Sequence, residues 1–250
     1  MFKIITSLAM FFAGLVANGQ VSETRNVSTF NKIEITDGVE VIYTQSQEIS
    51  VKAEASDGLG LSTLLTQTDG NTLKISCNGN LCETAKVYIS APEIISMRAA
   101  KDSKIIVVDR MNTKKFALSL ASGSTFNGIV KAAGAVSLKG KSGSVFNILV
   151  ESAAFHGNFQ GGSKVNLSGN SQNAAIRTTD NTLCNARNFK TENVSVKATD
   201  ESTVFVSVRE EIAVEVAGNA TVRYFGLPEK TSLNPEAVTV SNPRSSITQN

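Results

Sequence analysis

Acids recur at matching places in this chain: Asp102 in DSKI, Asp180 in DNTL, and the pair Asp200 and Glu201 in DEST. Two carboxylates held a few ångströms apart can share acid and base work on a glycosidic bond, or hold a hard cation. If Asp180 and Asp200 or Glu201 stand on adjacent strands, about 5 Å apart, they could make a weak cation or sugar contact. Asp102 is cut off from them by Gly123, Gly143 and Gly162, which fill the same place in the intervening copies. The simpler reading is that all four are turn acids, since Asp and Asn side chains bond their own backbone in turns.

Other reactive types are scarce. His156, in AFHGNFQGG, is the single histidine, so neither a His-based triad nor a multi-histidine metal site can be built. The adjacent Phe155 and Phe159 could form a sugar-stacking platform, although core packing is the simpler role, and the chain has no Trp and 3 Tyr. Cys77 and Cys82, in SCNGNLCE, lie in a loop where a hairpin could bring two sulfurs within bonding reach in an oxidising compartment. One such pair is not a zinc signature. Cys184 reads as a small buried hydrophobe. The expectation is no catalytic residue, no metal and no cofactor.

Lys plus Arg number 24 against 22 acids, a net +2 without long runs of either sign, so the basic footprint that nucleic acid requires is missing. At the N-terminus, Lys3 precedes an apolar stretch from Ile4 to Val16, and Ala17-Asn18-Gly19 supplies small residues for cleavage. That stretch is shorter than the ~20 residues needed to cross a bilayer, and no later apolar run could do so. Residues 1–19 therefore read as a signal peptide, with no cysteine nearby to carry a lipid anchor. The mature protein is expected in the periplasm, on the outer surface or outside the cell.

The elements that position these residues follow from a repeat. DSKI at Asp102, GSTF at Gly123, GSVF at Gly143, GSKV at Gly162, DNTL at Asp180, ESTV at Glu201 and NATV at Asn219 share one grammar. Their second residues are spaced by 21, 20, 19, 18, 21 and 18 residues. A period near twenty is the mark of a solenoid. The first two positions favour a turn, and two residues beyond the second comes an apolar one: Ile105, Phe126, Phe146, Val165, Leu183, Val204 and Val222. This column should face inward. Alternating pairs such as Leu118/Leu120 and Val136/Leu138 mark half-buried strands. Asn127, Asn147 and Asn166 follow the column in three consecutive copies, where side-chain amides could stack into a ladder or simply face solvent. A β-sandwich would have no reason to return the apolar column at a constant interval.

Before the repeats, strands are expected around Lys32–Ile35, Val39–Thr44, Ile49–Ala53 and Leu73–Cys77. Leu59 to Leu65 reads as a connector or one helical turn. After the repeats, a segment containing three Pro suits a cap and tail. The division is a signal peptide at 1–19, a linker at 20–29, one solenoid domain at 30–247 and a tail at 248–250.

FNKIEITDGVEVIYTQ, ISVKAEA, DGNTLKI, AKVYISAPEIISM and the ending ATVRYFGLPE, in this order, resemble the bacterial putative auto-transporter adhesin head, or GIN, domain family. The resemblance implies a right-handed parallel β-helix-like protein, secreted or bound to the envelope, of a kind found chiefly in Bacteroidetes. It carries over no catalytic residue. Two functions remain: a non-enzymatic, adhesin-like interaction module whose partner is an envelope or extracellular protein or glycan, and a glycan-binding or glycan-cleaving β-helix, a polysaccharide lyase or hydrolase, with a weak acidic site near Asp180 and Asp200.

Overall fold

A computed structural model describes residues 20–79, 85–234 and 240–241. The leader, the 248–250 tail and Cys82 lie outside the described residues. The strands are β1 Val21–Thr24, β2 Lys32–Ile35, β3 Glu40–Gln45, β4 Ser50–Ala55, β5 Leu64–Asp69, β6 Thr72–Cys77, β7 Lys86–Ala91, β8 Ser96–Ala99, β9 Lys104–Thr113 and β10 Phe116–Leu120. They continue as β11 Thr125–Ala132, β12 Ala135–Gly140, β13 Val145–Phe159, β14 Lys164–Thr178, β15 Leu183–Ala198, β16 Thr203–Val216, β17 Thr221–Phe225, β18 Lys230–Leu233 and β19 Val240–Ser241. The only helix among the described residues is α1, Gly58–Thr63, whose first turn is capped by Asp57 Oδ1 accepting from Gly60 N–H at 2.7 Å. The strands wind into a β-solenoid of about seven turns with roughly twenty residues each.

One corner sets the winding. Each turn places two successive residues in left-handed backbone conformation: Lys101–Asp102, Ser122–Gly123, Ser142–Gly143, Gly161–Gly162, Asp180–Asn181, Asp200–Glu201 and Gly218–Asn219. Gly, Asn and Asp tolerate this region, whereas other side chains pay roughly 1–2 kcal/mol to enter it. Backbone bonds then run from turn to turn: Asp102 N–H to Ser122 O, Gly123 N–H to Ser142 O and Gly143 N–H to Gly161 O, at 2.8, 2.9 and 2.8 Å. Immediately after each pair the chain dives inward. Ser103, Ser124, Ser144, Ser163, Thr182 and Ser202 are all buried, and several donate their hydroxyl to the carbonyl three residues back, as Ser103 does to Ala100 O at 2.8 Å.

The fifth copy must be realigned. With Asp180 and Asn181 as its left-handed pair, Thr182 takes the buried hydroxyl position and Cys184, fully buried, takes the apolar column. Leu183 was expected there, but it is 43% exposed on the outer side of β15. The corrected copy is NTLC, and the buried second positions, six hydroxyls and Ala220, are then spaced by 21, 20, 19, 19, 20 and 18 residues, a steadier period. The other six column residues, Ile105, Phe126, Phe146, Val165, Val204 and Val222, are buried.

The N-terminal third departs from simple winding. β2 pairs in parallel with both β6 and β8, and β3 with both β7 and β9, so the first coil of the chain lies second in the stack. The β6–β7 rung is closed off by antiparallel β4 on β7 and by the β5–β6 hairpin. Residues 20–29, expected to be a linker, contribute β1, antiparallel to β4. These antiparallel strands protect the sheet edge at that end. At the other end the Pro-containing segment contributes β18 and β19, both parallel to the coil beneath.

Candidate functional site

The predicted acids lie on the turn corner. Asp180 and Asp200 occupy neighbouring rungs, joined through Asn181 N–H donating to Asp200 O at 2.8 Å. The Asp200 carboxylate is already engaged: Oδ2 accepts from Thr179 Oγ1 at 2.7 Å and from Thr199 Oγ1 at 2.8 Å. Those two hydroxyls hold its carboxyl below the usual range. Glu201 is the second left-handed residue of its turn and points to solvent. Asp102 stands several coils away, its side chain over Gly123, where an added Cβ would meet Asp102 Oδ1. Among the described residues no three His, Cys, Asp or Glu side chains gather where they could hold a metal.

The aromatic platform is absent, because Phe155 and Phe159 are both fully buried. Phe159 packs edge-on against Phe146 with ring centres 5.3 Å apart, and Phe155 against Phe189 at 5.1 Å. His156, between them in sequence, faces outward on β13. Cys77 is disulfide-bonded. Cys184 is free and buried, and burial pushes its thiol up to about 12.

On the outer side of β11, β13 and β14, Asn147 Nδ2 donates to Asn127 Oδ1 at 2.9 Å and Asn166 Nδ2 to Asn147 Oδ1 at 2.8 Å. Parallel, in-register strands make this ladder geometrically free. Asn185 sits on the next rung, but its Oδ1 turns to Arg187 N–H at 3.4 Å. A second amide pair, Asn193 Nδ2 to Asn173 Oδ1 at 3.1 Å, was missed in the sequence. It repeats the same twenty-residue spacing, which is the signal that could have revealed it.

A broad concavity was also missed. It is an open groove of about 650 Å³ at the corner between the two halves of β13 to β16. Lys131, Glu151, Asn170 and Lys190 line it on four successive rungs. Beside them Ser152, Ser171 and Thr191 form a floor of hydroxyls. Those hydroxyls serve the fold: Ser152 Oγ donates to Ser171 Oγ at 3.3 Å, Ser171 Oγ to Asn173 O at 3.0 Å and Thr191 Oγ1 to Ser207 O at 2.8 Å. Glu151 lies between Arg110 and Lys131, 3.6 and 3.5 Å away. The lining holds no histidine or cysteine. Such a surface can offer amide, ammonium, guanidinium and carboxylate contacts, while its hydroxyls donate to one another and to backbone carbonyls.

A family model described as "Putative auto-transporter adhesin, head GIN domain" matches residues 29–228. No curated protein sequence matches. Several solved structures share the fold. A putative adhesin from Bacteroides fragilis is 17% identical with TM-score 0.62, the match covering 90% of this chain and 98% of that one. A putative adhesin from Parabacteroides merdae is 13% identical with TM-score 0.75, over 88% and 95%. A putative lipid binding protein from Parabacteroides distasonis is 14% identical with TM-score 0.71, over 89% and 96%.

Proposed function

This chain belongs to the auto-transporter adhesin head GIN domain family, and on that premise we propose that it is an exported, non-enzymatic interaction module of the cell envelope or surface. It holds an extracellular or envelope partner along the length of the solenoid. The corner groove carries this reading: it runs across successive rungs, repeats polar side chains in register, and commits its hydroxyls to the fold. Contacts repeated at each rung add avidity for an extended partner without any strong single site. The disulfide at Cys77 supports an oxidising compartment. Among the described residues no helix is long and apolar enough to cross a membrane. The alternative, a glycan site at Asp180 and Asp200, gains nothing from a carboxylate already taken up by two threonines.

The test uses the mature protein on a glycan array and on immobilised extracellular proteins, in parallel with a reducing-sugar release assay. Plugging the groove with Asn170→Trp and Gln172→Trp, both exposed lining positions, should abolish capture while leaving the thermal transition unchanged. Release of sugar product would sink the non-enzymatic reading. Undiminished capture by the plugged variant would sink the groove as its location.

A further inference from the structure

The outer face built by β8, β10, β12 and the second halves of β13 to β15 carries its charge in a line. Ser119, Lys139, Asn158, Arg177 and Lys197 stand on successive rungs in register. Lys141, exposed just past the end of β12, lines one shallow depression with Ser119, Lys139 and Asn158. Several rung charges in this protein are paired, among them Lys104 with Glu40 at 3.0 Å, Lys101 with Asp37 at 2.7 Å and Lys74 with Asp69 at 2.6 Å. The line itself is closed by pairs at both ends, Arg98 with Glu34 at 3.2 Å and Lys197 with Glu215 at 2.8 Å. Between those ends Lys139, Lys141 and Arg177 are exposed and make no ion pair within 4 Å among the described residues, Arg177 reaching Glu215 only at longer range beside Lys197. Of the turn acids beside it, Asp180 accepts from Thr179 Oγ1 at 3.3 Å and Asp200 is turned toward Thr179 and Thr199.

Beside the line lies a flat floor. The neighbouring outward column reads Ala117, Ser137, His156, Ala175, Ser195 and Ala213, so only the His156 ring rises above a floor of Ala and Ser. We propose that this strip binds an acidic polysaccharide lying along the solenoid axis, with its carboxylates or sulfates at Lys139, Lys141 and Arg177 and its sugar rings on the small-residue floor. Charge complementarity selects an anion, and the Arg177 fork suits a planar carboxylate or a sulfate. Linearity selects a chain. An anionic membrane is disfavoured, because a surface that docks on lipid presents aromatic or large apolar side chains to the acyl boundary, and here Ala and Ser stand in their place. The proposal rests on the reading of the protein as a non-catalytic module for an external partner, but uses a different face from the corner groove.

The test measures binding of the mature protein to immobilised polygalacturonate and dextran sulfate, with neutral dextran as a blank and phosphatidylglycerol vesicles as the lipid arm. The wild type should bind one or both acidic polymers, and should weaken by roughly tenfold when salt shortens the screening length below the ~10 Å of two rungs. The triple variant Lys139→Ala, Lys141→Ala, Arg177→Ala should lose roughly tenfold or more, as expected when several charge-assisted contacts go. Lys164→Ala, on another face, should change nothing. Failure of the wild type to bind either polymer overturns the proposal, as does undiminished binding by the triple variant or binding to vesicles alone. Sugar release from polygalacturonate would instead sink the non-enzymatic function, and groove-dependent capture surviving a failed strip would leave that function standing.

Discussion

Gly157 interrupts an inward column that otherwise reads Met97, Leu118, Leu138, Ile176, Val196 and Val214. Its backbone is outside the left-handed region, so the reason for glycine is room: a Cβ there would stand 2.6 Å from Phe159 Cε2 and 3.1 Å from Phe155 Cε1. The two rings fill the space that a Leu fills on the coil below. Gly157→Ala should therefore overpack the core and cost about 1–3 kcal/mol. Phe159→Ala, which removes a fully buried ring and its edge contact with Phe146, should cost about 3–5 kcal/mol. Together they should not add. Once the Phe159 ring is gone the new methyl enters vacated space, with only the 3.1 Å contact to Phe155 left to relax, so the double variant should be about 1–2 kcal/mol more stable than the sum of the singles. Urea unfolding followed by circular dichroism measures this, provided all four proteins share one slope. Additivity within about 0.5 kcal/mol, or a neutral Gly157→Ala, would refute the packing argument.

Further outcomes follow from the same coordinates. Leu183→Ser should shift stability by less than about 0.5 kcal/mol, whereas Cys184→Ser, which buries a hydroxyl in the apolar column, should cost about 1–3 kcal/mol by thermal melting. An aromatic disulfide reagent should label Cys184 only on unfolding, because burial pushes its thiol up to about 12. Tyr43 is fully buried, donates its hydroxyl to Ala91 O at 3.0 Å, and is pushed up to about 12. Its raised folded value means the contribution to stability is whole below pH ~10, the ordinary tyrosine value, and is lost as pH rises toward about 12. Tyr43→Phe should flatten that alkaline loss in melts recorded across the window. The depressed Asp200 carboxyl should titrate higher in Thr179→Val, Thr199→Val, as read by carbon NMR; an unmoved midpoint would show that the hydroxyls are not the cause.

What the sequence disclosed was whatever the coil repeats with the same residue type. Ser103, Ser124, Ser144 and Ser163 announced the turn corner, and Phe126 over Phe146 the core, because backbone conformation and burial each demand a narrow set of side chains. Leu183 misled because Asp180 mimics the opening of a copy that begins one residue later, where Thr182 replaces the usual serine. The groove was illegible for a different reason. Lys131, Glu151, Asn170 and Lys190 keep the coil's interval but no one residue type, and past them the shifts at Ala186/Lys190 and Thr191/Asn193 bring Ser207 and Val208 in after only 17 residues. The cationic line keeps its interval, yet Ser119, Lys139, Asn158, Arg177 and Lys197 mix four residue types, and a solvent-facing column imposes none.

The insertion of β2 and β3 between later rungs bears on how the molecule comes into being. A solenoid whose chain order equals its stacking order can zip from its first coil as the polypeptide emerges. Here Ile33 has Leu73 on one side and Met97 on the other, and Val41 has Val87 and Ile105. The opening coil meets one neighbour only once β6 and β7 are made and the other only with β8 and β9, so these segments must close as one cooperative block with long loops between partners. The later coils can then be added singly on that finished block. A chain cut before β8 should stay unfolded, whereas one cut after an intact later coil should retain the block, giving the protein a seed at one end and a growing tip at the other.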